Sequence, residues 1–441
     1  MRVNLLEGNV TKSMLLFSIP MILGNLLQQL YNIADTLIVG RFIGADALAA
    51  VGSSFTLMTF LTSVILGLCM GSGVAFSMCY GAKKEDDLKS ALAFSFLFIA
   101  ALTLLLTAGA LLFIDPIIDL LQIPAEIREM TQTYLRIIFY GMVFTFFYNY
   151  FASVLRAFGN SLTPLIFLGI SAVLNIALDL CFVLGLHMGV AGAAWATVLS
   201  QAVSAAGVLL YCLLTQPILR VQKKHLRIQP RLWKQVIQFS ILTSVQQSIM
   251  NFGILMIQGL VNSFGVAVMA AFAAAVKIDS FAYMPVQDFG NAFSTFIAQN
   301  SGAGKRERIQ RGIRSALAVS FFFCIVISAA VWCFAGELMK IFVDASETEI
   351  IAIGVGYLRI EGTFYFAIGC LFLLYGLYRG VGRPGISIVL TVISLGMRVL
   401  LAYCLAPTPI GLAGIWWAIP IGWILADAAG LIYYRKMKSS M

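Results

Sequence analysis

Charge and histidine are what this sequence has least of. Only 11% of its 441 residues are charged, and two are histidine. A soluble domain carries about 25% charged residues. Here 60% of the chain is hydrophobic, which excludes an ordinary water-soluble domain and marks an integral membrane protein. Two histidines far apart give no support to a zinc or iron centre. The eight cysteines are scattered, mostly inside apolar runs, and none forms a CxxC pair. They read as small buried hydrophobes rather than disulfides or ligands. There is no clustered nucleophile, metal triad or cofactor fingerprint, so neither an enzyme nor a cofactor is expected. The start, "MRVNLLEGNVTKSM", lacks the short apolar core of a signal peptide, and insertion is expected through the first span. A net charge of +9 would suggest nucleic acid in a soluble protein. Its placement in short loops argues against a nucleic-acid partner.

What is abundant is apolar length. A membrane-spanning helix needs about 20 apolar residues. Apolar runs predict twelve spans: 14–39, 47–79, 89–114, 131–155, 162–185, 190–215, 233–261, 267–301, 312–334, 352–378, 385–406 and 412–434. The longest polar break, "QPILRVQKKHLRIQPRL" at 216–232, reads as a basic cytoplasmic linker between an N-terminal bundle (1–215) and a C-terminal bundle (233–441). On this topology only Arg41, Arg128, Arg136, Lys340 and Arg359 fall on one side, and Lys277 and Arg398 lie within spans. The other 22 of the 29 Lys and Arg fall on the opposite side. Positive loops mark the cytoplasm, so both termini are expected there, in the plasma membrane.

The halves repeat. "YLRI" at 134–137 recurs at 357–360, "SALAFSF" at 90–96 as "SALAVSF" at 315–321, and "GVAGAAWA" at 189–196 as "GLAGIWWA" at 411–418. "FSIP", "YGAKK" and "RAFG" have counterparts at nearly the same offset. Six spans per copy is an even number, so both copies enter from one side, as a parallel repeat about an axis along the membrane normal. The expected fold is all-α: twelve transmembrane helices in two six-helix bundles related by a pseudo-two-fold, an architecture suited to alternating access.

A carboxylate within hydrocarbon costs roughly 2.5–3.5 kcal/mol on insertion scales, so intramembrane acids are candidates for function. Asp35, Asn175, Asp179 and Thr197 fall at similar outer depth in the first half. Asn175 and Asp179 share a helix face, as do Gln28, Asn32 and Asp35. Two carboxyls, an amide and a hydroxyl suit a hard cation such as Na⁺, and the same acids suit a proton. The second copy lacks acids at the matching positions, which argues that they are not needed for packing. Glu361 and Arg398 lie at similar depth in the second half and are expected to pair. Gln247, Asn251, Gln258 and Asn262 form a polar stripe on span 7. With Gln28, Asn32 and Gln201, the first three of these are candidates to line a substrate cavity. Pro20, Pro285 and Pro420 interrupt spans and are expected kink sites.

The chain resembles the multidrug and toxic compound extrusion (MATE) family along its whole length. The likeness rests on "PMILGNLLQQLYNIADTLIVGRFIGADALAAVG" at 20–52, "NIALD" at 175–179, "GVAGAAWATVLSQ" at 189–201 and "QNSGAG" at 299–304. It implies cation-coupled efflux of organic, often cationic, compounds. It also implies a coupling site at Asp35, Asn175, Asp179 and Thr197, with H⁺ or Na⁺ as coupling ion. NorM-type members carry a glutamate in span 7, where this chain has Gln246 and Gln247, so it looks closer to the DinF-type branch. The expected partners are small organic molecules and the lipid bilayer, and the expected state is a monomer. A flippase for a lipid-linked saccharide precursor is the alternative. Its anionic substrate would need a cationic cavity.

Overall fold

The computed structural model describes residues 2–220, 222–226 and 229–440. Val221, Arg227 and Ile228, within the expected linker, lie outside the described residues. Helices account for all regular structure among the described residues: α1 (Val10–Ile38), α2 (Ala45–Gly81), α3 (Glu85–Leu112), α4 (Ile114–Leu120), α5 (Ala125–Ala157), α6 (Leu162–Asp179), α7 (Gly189–Thr215), α8 (Pro230–Asn262), α9 (Val266–Gly302), α10 (Arg306–Met339), α11 (Thr348–Thr363), α12 (Tyr365–Gly380), α13 (Pro384–Leu405) and α14 (Leu412–Ser440). Eleven of these are long and apolar enough to cross a membrane, and α11 with α12 forms a twelfth, bent span. In lipid every backbone polar group must find an internal partner, which is why apolar length becomes helix throughout.

The broken span is not at a proline. α11 and α12 meet at 52°. Phe364 between them leaves the helical region (φ −109°, ψ 15°), and its N–H is satisfied by the Glu361 carbonyl at 2.9 Å. Pro20, Pro285 and Pro420 lie inside continuous α1, α9 and α14. The short α4 was not expected. It follows a turn at Phe113 and is tied to α5, where Gln132 donates to Asp115 at 2.7 Å.

Contacts gather the chain into two units. The first comprises Met1–Asn4 and Ile19–Ser244, the second Leu5–Ser18 and Val245–Met441. The division thus falls inside α8, not in the basic linker. The cause within the first unit is local. Gly67 and Gly71 of α2 have no side chain, and the α8 backbone at 239–244 lies directly on them. Ser72 and Ser240 share a hydroxyl hydrogen bond at 2.7 Å, and the Ser244 hydroxyl donates to the Val64 carbonyl at 3.0 Å. At the centre of this unit α5 packs against α2, α3 and α7. In the second unit α9 packs on α10, α11 and α12, while α13 pairs with α14. Phe272 stacks on Trp416 at 5.5 Å, and Tyr357 meets Trp416 edge-on at 5.0 Å.

Within the first unit the linker is tied to the start of α3. Gln222 N–H donates to His225 Nδ1 at 2.9 Å, so Nε2 carries the ring hydrogen and donates to Asp86 at 2.8 Å. Lys224 Nζ reaches the same carboxylate oxygen at 3.0 Å. His225 is 3% exposed. Asp86→Asn weakens both bonds, and trypsin should then cut after Lys224 several-fold faster under native conditions. Unchanged cleavage would show that Asp86 does not hold the linker.

Candidate functional site

In the first unit α1 and α6 end in the same unusual way. α1 passes into a π-helical turn at Val39–Ile43, and α6 into another at Leu180–Gly185. π turns inside helices recur at functional sites because they shift the side-chain register. Asp35 lies just before the first turn and Asp179 directly before the second. The two carboxyl groups meet each other. Asn175, one helical turn before Asp179, donates from its amide nitrogen to the Thr197 hydroxyl on α7 at 3.4 Å. That hydroxyl donates to the Ala193 carbonyl at 3.2 Å. Asn175 and Asp179 are buried, at 1% and 0% exposure. The structure therefore brings Asp35, Asn175, Asp179 and Thr197 into one cluster built from α1, α6 and α7.

What distinguishes the cluster is a surplus of acceptors. Asp35 Oδ1, Asn175 Oδ1 and both Asp179 carboxyl oxygens are buried, and none accepts a hydrogen bond from the described residues. Leaving one buried acceptor unpaired costs about 1–3 kcal/mol, more if it is charged. Native proteins leave few such groups, and here four lie together. A hard cation among the four oxygens would satisfy them, and a proton shared between the carboxyls would satisfy two.

Two tyrosines belong to the same place and were not among the expected residues. Tyr134 on α5 is 3% exposed and lies near both Asp35 and Asp179. Tyr31 on α1 contacts Gln28 and Gln201 and feels the Asp35 charge. Gln201 Oε1 in turn accepts from the Thr145 hydroxyl at 2.9 Å. The signal for Tyr134 was present in the repeat: it opens the "YLRI" stretch whose second copy opens with Tyr357, and Tyr357 faces the acids of the second unit.

The remaining cavity candidates separate. Gln28 and Gln201 are joined through Tyr31. Asn32 is half-buried one turn before Asp35. Asn251 lines a cavity inside the second unit, but Gln247 and Gln258 are not on its wall. Gln258 instead donates to Asn262 at 2.9 Å, within its own stripe. The expected pairing of Glu361 with Arg398 is not what forms. Glu361 lies against Asp279, and neither acid makes an ion pair with Arg398 among the described residues. The second unit thus has a carboxyl pair of its own, at positions unrelated by the repeat to Asp35 and Asp179.

Residues 20–181 and 240–404 both match the MatE family model, one stretch in each copy of the repeat. The chain belongs to the MATE family. Among its relatives it is 32% identical over 440 residues to the "Probable multidrug resistance protein YpnP" of Bacillus subtilis, covering 97% of this chain and 96% of that one. It is 24% identical to the "Multidrug export protein MepA" of Staphylococcus aureus over 435 residues, covering 97% and 94%. Among solved structures, the outward-facing conformation of a multidrug resistance MATE family transporter superposes with a TM-score of 0.92 at 25% identity. That match covers 99% of this chain and 98% of the other. The MATE fold of a multi-pass membrane transporter is thereby shown, with its twelve spans.

Proposed function

We propose that this MATE-family transporter exports small organic, often cationic, compounds in antiport with H⁺ or Na⁺, and that Asp35, Asn175, Asp179 and Thr197 bind the coupling ion. The observation that carries the reading is the set of four buried oxygens without donors, two of them on a carboxyl that is 0% exposed. Relatives named as multidrug export proteins support the substrate class. The loop charges support a plasma-membrane protein with both termini cytoplasmic.

Coupling follows from differential binding. An ion that neutralises Asp35 and Asp179 favours one conformation, and the substrate favours another or competes for the same charge. Filling the site with the ion releases the substrate outside, and emptying it inside restores affinity. The test is dye efflux from right-side-out vesicles under a pH gradient and a Na⁺ gradient imposed separately. One of the two gradients is expected to drive efflux against the dye's own gradient. Equal efflux with both gradients collapsed would remove the antiport reading.

A further inference from the structure

The second unit contains a partly open cavity of about 200 Å³ that no part of the coupling site uses. Its walls include Phe272, Tyr283, Phe372 and Trp423, with Asp279 and Arg398 as the charged groups. Asp279 is 5% exposed, and its Oδ1 accepts the Tyr365 hydroxyl at 2.7 Å. Glu361, 1% exposed, lies against it and keeps Oε1 without a donor. The Arg398 guanidinium stands over the Trp423 ring at 5.9 Å, and its buried Nε has no acceptor. Opposite charges in a low-dielectric interior attract strongly. Asp279 and Arg398 face the same cavity with no ion pair between them, and Arg398 retains an unused donor.

We propose that this cavity is a binding site for a small zwitterionic aromatic compound, whose ammonium group pairs with Asp279 and whose carboxylate pairs with Arg398. A ligand with only a positive end would leave the Arg398 donor unpaired, and one with only a negative end would leave Asp279 without a counter-charge. The aromatic walls favour a flat ring, and stacking on Trp423 and Phe372 supplies apolar contact. The volume is below the roughly 300–1,000 Å³ of sites for drug-sized ligands, so a single ring is the right size. The site lies wholly within the second unit, so occupancy does not depend on which ion works the first.

The test is equilibrium binding to the purified full-length protein in lipid nanodiscs. The probes are 4-(aminomethyl)benzoic acid, its methyl ester (positive end only) and its N-acetyl derivative (negative end only). The zwitterion is expected to bind at least about tenfold more tightly than either, since a hydrogen-bonded charge is lost with each blocked end. Arg398→Met should abolish the preference over the ester, and Asp279→Asn the preference over the N-acetyl compound. Asp35→Asn should leave all three affinities unchanged, which separates this site from the antiport reading. Equal binding of the three probes, or no saturable binding of any, overturns the proposal using wild-type protein alone. Should Arg398→Met fail to fold, Arg398→Lys keeps the charge but loses the planar fork, and the preference over the ester should fall several-fold. A full wild-type preference in Arg398→Lys would overturn the assignment of that residue.

Discussion

Asp35→Asn is expected to lower gradient-driven efflux at least about 100-fold while the protein still inserts and folds. Asparagine has nearly the shape of aspartate but takes up no proton at neutral pH and offers a cation no negative charge. It also brings an N–H donor to the place where Asp179 presents two oxygens without partners. The substituted site is thus satisfied permanently, as if the ion could never leave. Melting in detergent should be unchanged or higher, because a buried carboxylate has been replaced by a group that pairs with its neighbour. Asp179→Asn should have the same effect, and the double variant should be little worse than either single one, since the two carboxyls act as a unit. The measurement is dye transport in proteoliposomes under whichever gradient drives the wild type. Normal transport by the single variants would show that the cluster only holds α1, α6 and α7 together.

Gly71→Ala should strongly destabilise the first unit. A Cβ on Gly71 falls onto the Phe239 carbonyl and within 2.6 Å of the Ser240 Cα. These are backbone atoms of α8 and have no rotamer to retreat into. The helices must separate, which also breaks the Ser72–Ser240 hydrogen bond. Overpacking of this kind costs typically about 1–3 kcal/mol, occasionally more. Gly67→Ala meets the Ser244 backbone in the same way, and the pair of substitutions should compound. Gly109→Ala on α3 is the control. Beyond its own helix backbone and chain neighbours no atom lies within 4 Å of the new methyl group, and the helix propensity of alanine makes the change neutral or slightly stabilising. Scanning fluorimetry should show a melting point several degrees lower for Gly71→Ala and none of that loss for Gly109→Ala. Equal melting of the two variants would mean that α8 is not seated on α2 as described.

How much of this was legible in advance depends on how far apart the interacting residues are. Asp35 and Asp179 stood out because an acid inside a long apolar run is rare enough to be conspicuous by itself. Tyr134 and Tyr31 did not, because a tyrosine in a membrane helix is unremarkable until the fold places it near a carboxyl. The pairing of Glu361 failed for a related reason. Depth along the membrane normal places Glu361 and Arg398 at one level, but it does not say which way each helix is turned. Rotation of α9 and α11 brings Asp279 to Glu361 and leaves Arg398 facing the cavity beside them.

By itself the sequence determined the membrane environment, the number of spans, their internal repeat and the candidate acids. These follow from local quantities: apolar length set against bilayer thickness, the period of the repeat, and the cost of charge in hydrocarbon. Only the tertiary structure decided the rest. It brought Tyr134 and Tyr31 to the acid cluster, joined Asp279 to Glu361, and broke the tenth span at Phe364 rather than at a proline. It also divided the chain within α8, where two glycines on α2 admit the backbone of another helix. Each of these depends on helix rotation and on side-chain volume at a contact distant in sequence, and neither is written in any single stretch of residues.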